Sequence, residues 1–312
     1  MPKVSIIGAG NVGATAAYYL AEKNFADIVM VDVVPGMPQS KALDFSHAAP
    51  SRGYNVTIVG SNDYEAIKDS DVVVHTAGMP RKPGMDRMDL LKTNVGIAKS
   101  AAQAIKKHAP DSLVIAVANP LDVIAMVALR ETGFDSRRVV GMAGILDSTR
   151  FRYFIAEKLG VLPEAVMAMV LGGHGDTMVP LVSYTSVGGF PLRDLMDEET
   201  IEQLVERTRK GGGEIVSYLK KGSAYYAPAA SAAKMVEALV RDEKRLVAAS
   251  AYLTGEYGYK DIFLGVPVLL GKGGVEKIYE LDLTEEEKAA LDNSAEHVAE
   301  GVKTLESIYS PG

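Results

Sequence analysis

A glycine-rich turn near the start of the chain contains residues whose spacing could bind phosphate. It joins an apolar run at residues 4–7 to a stretch with helical spacing, which predicts a strand, a tight turn and a helix. The turn consists of Gly8, Ala9, Gly10, Asn11, Val12 and Gly13. Gly8 would make the turn, Gly10 would let the backbone approach a pyrophosphate, and Gly13 would let the helix lie close to the strand. Phosphate would then meet free backbone N–H groups and the positive end of the helix dipole.

One acidic residue indicates which dinucleotide would bind. Asp32 follows a second apolar run, residues 28–31, and lies about 20 residues beyond the last glycine of the turn. A carboxylate there would accept hydrogen bonds from an adenosine ribose diol and would repel a 2′-phosphate. The sequence therefore predicts NAD in preference to NADP. An acid that merely ends a strand is the alternative interpretation of Asp32 taken alone.

His174 is the candidate for acid–base chemistry. It stands among three glycines in residues 172–175, which leave space around an imidazole, and a packing role seldom needs such space. Asp147 and Arg150 are three residues apart, so a helix would place both on one face. Taken alone, Asp147 is better explained as an acid near the start of a helix, where the dipole stabilises it.

A charged loop at residues 79–87 contains two arginines that could bind an anion. Its prolines stiffen it locally and Gly84 permits a hinge, as expected of a lid over an active site. Arg81 and Arg87 could bring planar guanidinium groups to a substrate carboxylate. Composition alone suggests a solvated basic loop, but the position after a predicted strand end favours the lid.

Asn119 directly follows the fifth predicted strand, where a side-chain amide could bind a substrate hydroxyl. The next residue is Pro120, and proline is common in the first turn of a helix, so Asn119 could equally cap that helix. The spacing leaves both interpretations open.

The apolar pattern predicts the elements that must position these residues. Strands are expected at residues 4–7, 28–31, 56–59, 71–78, 113–117 and 139–141, alternating with helical stretches. Each run is too apolar to be half-exposed, so we expect a doubly wound parallel sheet of the Rossmann type with helices on both faces. Ligands would lie beyond the carboxyl ends of its strands.

The second half of the chain predicts a separate domain. Helices are expected at residues 147–159, 198–219, 224–240 and 284–308, and strands at residues 179–183, 245–252, 262–270 and 275–281. Three glycines at residues 211–213 would weaken the second of these helices unless close packing or a ligand explains them. Thr284 and Glu287 form a capping box for the last helix. The predicted fold class is α/β, with a Rossmann NAD-binding domain at residues 1–145 and an α+β catalytic domain, with antiparallel strands and long helices, at residues 146–312.

Composition excludes several classes of protein. The 312 residues include no cysteine, which rules out disulfides, thiolate zinc sites and a catalytic cysteine. The net charge of −7 argues against a nucleic-acid partner, and no cluster has the spacing of metal ligands. The most apolar window, residues 113–129, is interrupted by polar residues and is not expected to span a membrane. Because the chain enters a strand directly after Lys3, we expect no signal peptide and a cytoplasmic protein.

In order and spacing, these motifs resemble those of the NAD-dependent lactate and malate dehydrogenase family across essentially the whole chain. The motifs are the glycine turn with Asp32, the loop with Arg81 and Arg87, Asn119 with Pro120, Asp147 with Arg150, and residues 173–176 around His174. Residues 210–213 and 222–228 are most similar to the malate dehydrogenases whose architecture is like that of lactate dehydrogenases. The resemblance implies reversible hydride transfer between NAD and malate or oxaloacetate, a reaction of the tricarboxylic acid cycle.

The resemblance also implies a role for each polar residue of the site. His174 would accept and donate the proton at the C2 oxygen, and Asp147 would accept a hydrogen bond from the other ring nitrogen. Arg150 would bind the C1 carboxylate with two parallel bonds, and Arg87 would polarise the C2 carbonyl. Arg81 would bind the second carboxylate, at a position where lactate-specific relatives carry a neutral glutamine.

Further contacts follow from the same resemblance. Cofactor-binding residues would be the six of the glycine turn together with Asp32, Asn94, Val117, Ala118 and Asn119. Asn119 would bridge cofactor and substrate oxygens. The family assembles as dimers or as tetramers formed from dimers, and this branch favours a homotetramer.

Three other functions compete with this interpretation. A lactate or broad 2-hydroxyacid dehydrogenase is opposed by the arginine at position 81. An NAD-dependent glycosidase is opposed by the absence of the cysteine that generally helps to hold its metal. A non-catalytic NAD-sensing module would use the glycine turn alone, and an assay for turnover separates it from an enzyme.

Overall fold

A computed structural model of the chain describes residues 1–79 and 88–309, together with the backbone of Arg87. Arg81 and the side chain of Arg87 therefore lie outside the described residues. Among the helices formed by residues within those ranges, none has the length and apolar character required to cross a bilayer.

A parallel sheet forms the first half of the molecule. Its strands are β1 (Lys3–Ile7), β2 (Asp27–Val31), β3 (Ile58–Ser61), β4 (Val72–His75), β5 (Leu113–Ala116) and β6 (Val139–Gly141). They lie in the order β6-β5-β4-β1-β2-β3, and every neighbouring pair is parallel. The helices of this half are α1 (Asn11–Lys23), α2 (Met37–Arg52), α3 (Arg87–His108) and α4 (Leu121–Thr132). The predicted Rossmann sheet is confirmed, and its valine-rich and isoleucine-rich strands are mostly buried because helices cover both faces.

The second half adds four helices and eight strands within the described ranges. The helices are α5 (Gly144–Leu159), α6 (Glu198–Leu219), α7 (Tyr226–Val240) and α8 (Glu285–Ile308). The short strands are β7 (Val166–Met167), β8 (Val170–Leu171), β9 (Val179–Pro180), β10 (Ser186–Val187) and β11 (Phe190–Pro191). The long strands are β12 (Arg245–Thr254), β13 (Lys260–Gly271) and β14 (Gly274–Ile278), and they pair antiparallel as predicted.

The two halves share one sheet. Strand β12 pairs antiparallel with β6 where Ser250 faces Gly141, which extends the sheet to nine strands in the order β14-β13-β12-β6-β5-β4-β1-β2-β3. A Cβ on Gly141 would lie 2.8 Å from the Cβ of Ser250 and 2.6 Å from Leu121, so only glycine fits at this junction. The C-terminal half is therefore tied to the carboxyl end of β6.

Two predicted boundaries are wrong for physical reasons. The strand expected at residues 179–183 ends at Pro180 and is followed by a 3₁₀ turn over Val182–Tyr184. Ser183 donates its N–H and its hydroxyl to the buried carboxylate of Glu287, at 3.0 and 2.6 Å, which removes that N–H from strand pairing. Helix α5 begins at Gly144, so it starts before Asp147. The capping box of Thr284 and Glu287 is confirmed at the start of α8.

His75, at the carboxyl end of β4, makes the stability of the fold sensitive to acid. It is 2% exposed, and its Nε2 has no hydrogen-bond partner among the described residues. Burial lowers the pKa of His75 to about 4, whereas an unfolded chain has a histidine pKa of about 6.5. Between these pH values the unfolded chain binds a proton that the folded chain does not, so acidification favours unfolding.

We therefore expect His75 to reduce the free energy of unfolding by about 3 kcal/mol as the pH falls through this interval. Urea unfolding at a series of pH values measures the effect. His75→Gln should remove this part of the pH dependence, whereas His47→Gln, at an exposed position of α2, should retain it. If the free energy of unfolding changed with pH equally in His75→Gln and in the parent chain, the prediction would be contradicted.

Candidate active site

The glycine turn between β1 and α1 has the geometry that its sequence predicts. Gly8 has a φ of +103°, and a Cβ there would lie 2.7 Å from the backbone nitrogen of Ala77. A Cβ on Gly13 would lie 1.9 Å from the carbonyl oxygen of Gly8, so the start of α1 contacts the turn directly. A Cβ on Gly10 would meet nothing within 4 Å. This open space lies where the backbone would approach a pyrophosphate.

Donors face the open space beside Gly10. Gly10 is the N-cap residue of α1 and provides no side-chain cap, so the first N–H groups of the helix, at Asn11 and Val12, are available to an anion. Asp32 accepts hydrogen bonds from the N–H groups of Ala9, at 2.7 Å, and Val34, at 2.9 Å. Asp32 thus lies directly against the turn. These groups fit the pyrophosphate and ribose of a dinucleotide.

Sequence reasoning missed Lys41, which also holds this turn. Lys41 lies on helix α2, and its Nζ donates a hydrogen bond of 2.6 Å to the carbonyl oxygen of Ala9. Because the peptide group is planar and trans, the N–H of Gly10 points away from the carbonyl that Lys41 binds. Lys41 and Asp32 therefore fix the peptide groups on both sides of Ala9.

Asn94 lies beside residues 117–119, which are the predicted cofactor-binding segment after β5, and it is 3% exposed. Its amide nitrogen donates to the carbonyl oxygens of Met79, at 3.2 Å, and Asn119, at 2.8 Å, while its oxygen accepts from the N–H of Met79 at 2.8 Å. Val117 and Ala118, which follow β5, are each 8% exposed. The amide of Asn94 therefore ties the segment after β4 to the segment after β5, and a direct cofactor contact of Asn94 stays a prediction.

The helix-cap interpretation of Asn119 is wrong. Pro120 is the N-cap residue of α4, and the Asn119–Pro120 peptide bond is cis. The Asn119 side chain is exposed and makes no hydrogen bond within the described part of the chain. Its amide is thus available to a ligand at the carboxyl edge of the sheet.

Helix α5 and the loop after β8 bring together an aspartate, an arginine and a histidine. The carboxylate of Asp147, which is 1% exposed, lies 2.8 Å from Nδ1 of His174 through Oδ2 and accepts a bond from Nη1 of Arg150 at 3.2 Å through Oδ1. A carboxylate only accepts hydrogen bonds, so Nδ1 of His174 carries a proton and Nε2 of the neutral ring is a free base. One carboxylate therefore orients both a base and a cation.

The surroundings of His174 favour its protonated form. Burial opposes the imidazolium, but the charge and hydrogen bond of Asp147, and then the charge of Asp122, more than offset this effect. Arg150 acts in the opposite direction. The net result raises the pKa of His174 above its ordinary value.

Arg150 is placed to bind an anion, and the first of the three glycines of α6 makes room for it. Its side chain is 14% exposed and its Nε has no partner among the described residues. A Cβ on Gly211 would lie 3.3 Å from Cδ of Arg150, and one on Gly212 would lie 3.8 Å from Nη2. Close packing of α6 against Arg150 thus accounts for glycine at position 211, whereas a Cβ at position 212 would make an ordinary van der Waals contact.

Asp122 is a buried residue beside the site that sequence reasoning also missed. It is 8% exposed in the first turn of α4, and it accepts hydrogen bonds from Oγ of Ser250 at 2.7 Å and from the backbone N–H of His174 at 3.3 Å. The signal in the sequence was a carboxylate followed by seven apolar residues, 123–129, in a stretch with helical length. Arg81 and the side chain of Arg87 are outside the described residues, so their roles stay predictions.

The family follows from two models that match consecutive parts of the chain. The lactate/malate dehydrogenase NAD binding domain matches residues 2–141, and the lactate/malate dehydrogenase alpha/beta C-terminal domain matches residues 145–308. The chain belongs to the lactate/malate dehydrogenase family. It is accordingly an NAD-dependent oxidoreductase, and the sequence-based predictions of family, fold class and cofactor are confirmed.

Relatives within the lactate/malate dehydrogenase family are similar over nearly their whole length. A malate dehydrogenase of Thermomicrobium roseum is 56% identical over 98% of this chain and 99% of the relative. The solved structure of a malate dehydrogenase from Salinibacter ruber is 50% identical, with a TM-score of 0.94 over 98% of each chain. A lactate dehydrogenase of Cryptosporidium parvum, solved with lactic acid and NAD, is 44% identical, with a TM-score of 0.94 over 98% of each chain.

Substitutions at two glycines of α6 test whether the packing of this helix positions the Arg150 side chain. Gly211→Val should displace the Arg150 side chain and raise the KM for oxaloacetate by about 10-fold, because a displacement well under 1 Å weakens a two-bond contact. Gly213, in the same helix, has nothing within 4 Å of its Cβ position. Gly213→Ala should leave KM unchanged and stabilise the helix by about 0.5–1 kcal/mol. Steady-state kinetics and urea unfolding measure both effects, and equal KM values for the two variants would contradict the packing role.

Proposed function

We propose that this chain catalyses reversible hydride transfer between NAD and malate or oxaloacetate, with His174 as the proton acceptor and donor. Relatives that are malate dehydrogenases at 56% and 54% identity over nearly the whole chain support this activity. The observation that carries the mechanism is the Asp147 carboxylate. It orients His174 and Arg150 from its two oxygens, at 2.8 and 3.2 Å.

In malate oxidation, Nε2 of neutral His174 accepts the proton of the C2 hydroxyl. Asp147 holds the ring through Nδ1 and stabilises the imidazolium that forms. Bound NAD supplies the acceptor for the hydride that leaves C2, and NADH supplies the donor in the reverse direction. In oxaloacetate reduction the imidazolium returns its proton to the C2 oxygen. The same histidine therefore serves both directions, since its charge changes by one proton in each.

Arginines provide the complementary charge for a dicarboxylate. We assign the C1 carboxylate to Arg150, whose guanidinium lies beside the imidazole and whose Nε is unpartnered within the described ranges. From the family resemblance we assign the C2 carbonyl oxygen to Arg87 and the second carboxylate to Arg81. Three cations would then neutralise a doubly negative substrate together with the charge that develops on the C2 oxygen.

At the cofactor end, the glycine turn would bind the pyrophosphate and Asp32 would bind the adenosine ribose. Both oxygens of Asp32 accept backbone N–H groups, and each retains a lone pair for a ribose hydroxyl. The fixed carboxylate would repel a 2′-phosphate. This supports NAD as the cofactor in preference to NADP.

The direct test is to titrate malate into the enzyme with NAD and follow NADH absorbance, with lactate as the competing substrate. Formation of NADH with malate and little with lactate is the expected result. Faster turnover of lactate would replace the proposal by a lactate dehydrogenase, and NADH binding without turnover of either substrate would indicate a sensing module. Comparable catalytic efficiency with NAD and NADP would contradict the role of Asp32.

We propose further that the chain assembles as a homotetramer, that its reaction belongs to the tricarboxylic acid cycle, and that the protein is located in the cytoplasm. The family resemblance supports this assembly. Sedimentation at several protein concentrations distinguishes tetramer, dimer and monomer. Cell fractionation with an antibody to the chain tests the location.

A further inference from the structure

A buried carboxylate lies behind the loop that carries His174 and takes no part in the mechanism above. Asp122 bridges three elements that are distant in sequence: it belongs to α4, accepts the hydroxyl of Ser250 from β12, and accepts the N–H of His174 from the loop after β8. Ser250 is 0% exposed and Asp122 is 8% exposed. No basic side chain forms a hydrogen bond or ion pair with Asp122 among the described residues. A carboxylate without a cationic partner is a costly way to stabilise a core.

A serine hydroxyl and an arginine also hold this loop, and Nε of Arg209 donates to the carbonyl oxygen of Met178 at 3.2 Å. The N–H of Gly173 donates to Oγ of Ser294 on α8 at 2.8 Å, and Oγ1 of Thr177 lies 3.0 Å from the same atom. A Cβ on Gly173 would lie 2.8 Å from Val298 and 3.5 Å from Oδ2 of Asp122, so the loop packs tightly against α4 and α8. Asp122 contributes a carboxylate to this support, and it contacts the backbone of the histidine itself.

We propose that Asp122 is a positioning residue for His174, whose carboxylate fixes the backbone from which the imidazole projects and adds a second negative charge behind that of Asp147. This inference rests on the proposed function, in which His174 exchanges a proton with the substrate. A neutral acceptor would be enough to hold the backbone N–H. The carboxylate additionally favours the imidazolium.

The electrostatic surroundings of the pair agree with this role. In the described part of the chain, His174 is faced by Asp147 and Arg150 from α5 and by Asp122 from α4. Burial raises the pKa of Asp122 and Asp147 acts in the same direction, whereas the hydroxyl of Ser250 and the charge and N–H of His174 favour the ionised form. The net result raises the pKa of Asp122, and the charges of Asp122 and protonated His174 stabilise each other.

Asp122→Asn removes the negative charge of the side chain and keeps nearly the same side-chain shape. The amide oxygen can still accept the N–H of His174, and the amide nitrogen can donate to Oγ of Ser250, because a hydroxyl both donates and accepts. The matched control is Glu287→Gln. Glu287 is another buried carboxylate. It accepts the hydroxyl and the N–H of Ser183 and the N–H of Thr284, and none of these donors belongs to the His174 loop.

The first measurement is an NMR titration of the His174 imidazole in the protein without substrate, with its signal assigned from the spectrum of His174→Asn. In Asp122→Asn the His174 titration should move down by about 1 pH unit, as expected for loss of one nearby opposite charge. Glu287→Gln should leave it unchanged, even if that variant melts at a lower temperature. Ser250→Ala, which removes the donor that favours ionised Asp122, should move the titration in the same direction by less.

The second measurement is the pH profile of kcat/KM with malate and NAD. In Asp122→Asn the acid limb should move down with the His174 titration, so activity persists to lower pH. An unchanged titration in both Asp122→Asn and Ser250→Ala would overturn the role of Asp122, whatever the activity. A shifted titration in a chain that does not oxidise malate would leave the role of Asp122 intact and would instead contradict the proposed function.

Discussion

His174→Asn should lower the turnover of malate and NAD by about 10³-fold while leaving NADH affinity within about twofold of the parent chain. Asparagine can preserve a hydrogen bond to Asp147 but cannot take a proton from the C2 hydroxyl. NADH affinity should be preserved because the described dinucleotide-binding features lie at the glycine turn, Asp32 and the segment after β5. Stopped-flow turnover and NADH fluorescence titration measure the two quantities.

His297→Asn provides the control, because His297 is exposed on α8. That variant should keep both turnover and NADH affinity. If His174→Asn turned over at a near-normal rate, another group would have to exchange the proton. A parallel loss of NADH binding would instead indicate that His174 supports the structure of the cofactor site.

Arg81→Gln should reverse or strongly erode the preference for oxaloacetate over pyruvate. Arg81 lies outside the described residues, so this prediction rests on the sequence and its family resemblance. With pyruvate bound, the guanidinium would face a methyl group and lose its partner, and sites built around such a contact can reject the analogue by about 10⁴-fold. Glutamine would remove the ion pair with the second carboxylate of oxaloacetate. It would also remove the unpaired charge that the site would enclose when pyruvate is bound.

The measurement is the ratio of kcat/KM for the two substrates, both with NADH. Arg81→Lys is the matched control, since it retains the charge without the planar fork, and it should keep oxaloacetate as the preferred substrate at lower efficiency. A ratio in Arg81→Gln equal to that of the parent chain would exclude Arg81 from substrate selection.

Local interactions explain which elements could be predicted from the sequence. Helix α6 begins and ends at the predicted residues, and the capping box at Thr284 forms as expected. The backbone at Gly8 has the positive φ that its place in the motif requires. In each case the determining contacts lie within a few residues along the chain. The spacing of residues along the chain is therefore enough to predict these local features.

Contacts between distant segments explain what the sequence left open. The three glycines of α6 looked like a defect, and only the packing of Gly211 against Arg150, from another helix, accounts for the first of them. In the sequence, Asp122 is only one of the polar residues that interrupt the apolar window at residues 113–129. Its partners lie 52 and 128 residues away, so no local pattern could identify them.

The sequence by itself determined the parallel sheet and the glycine turn, and it predicts the acid at the ribose end and the proton-exchanging histidine, since each depends on residue type and short-range spacing. Only the tertiary structure decided that the antiparallel strands continue the same sheet through Ser250 and Gly141. That pairing brings β12 beside α4 and lets Ser250 bind Asp122, which in turn holds the backbone of His174. The reason is geometric: hydrogen bonds between elements form only after the chain has placed their donors and acceptors within about 3 Å of each other.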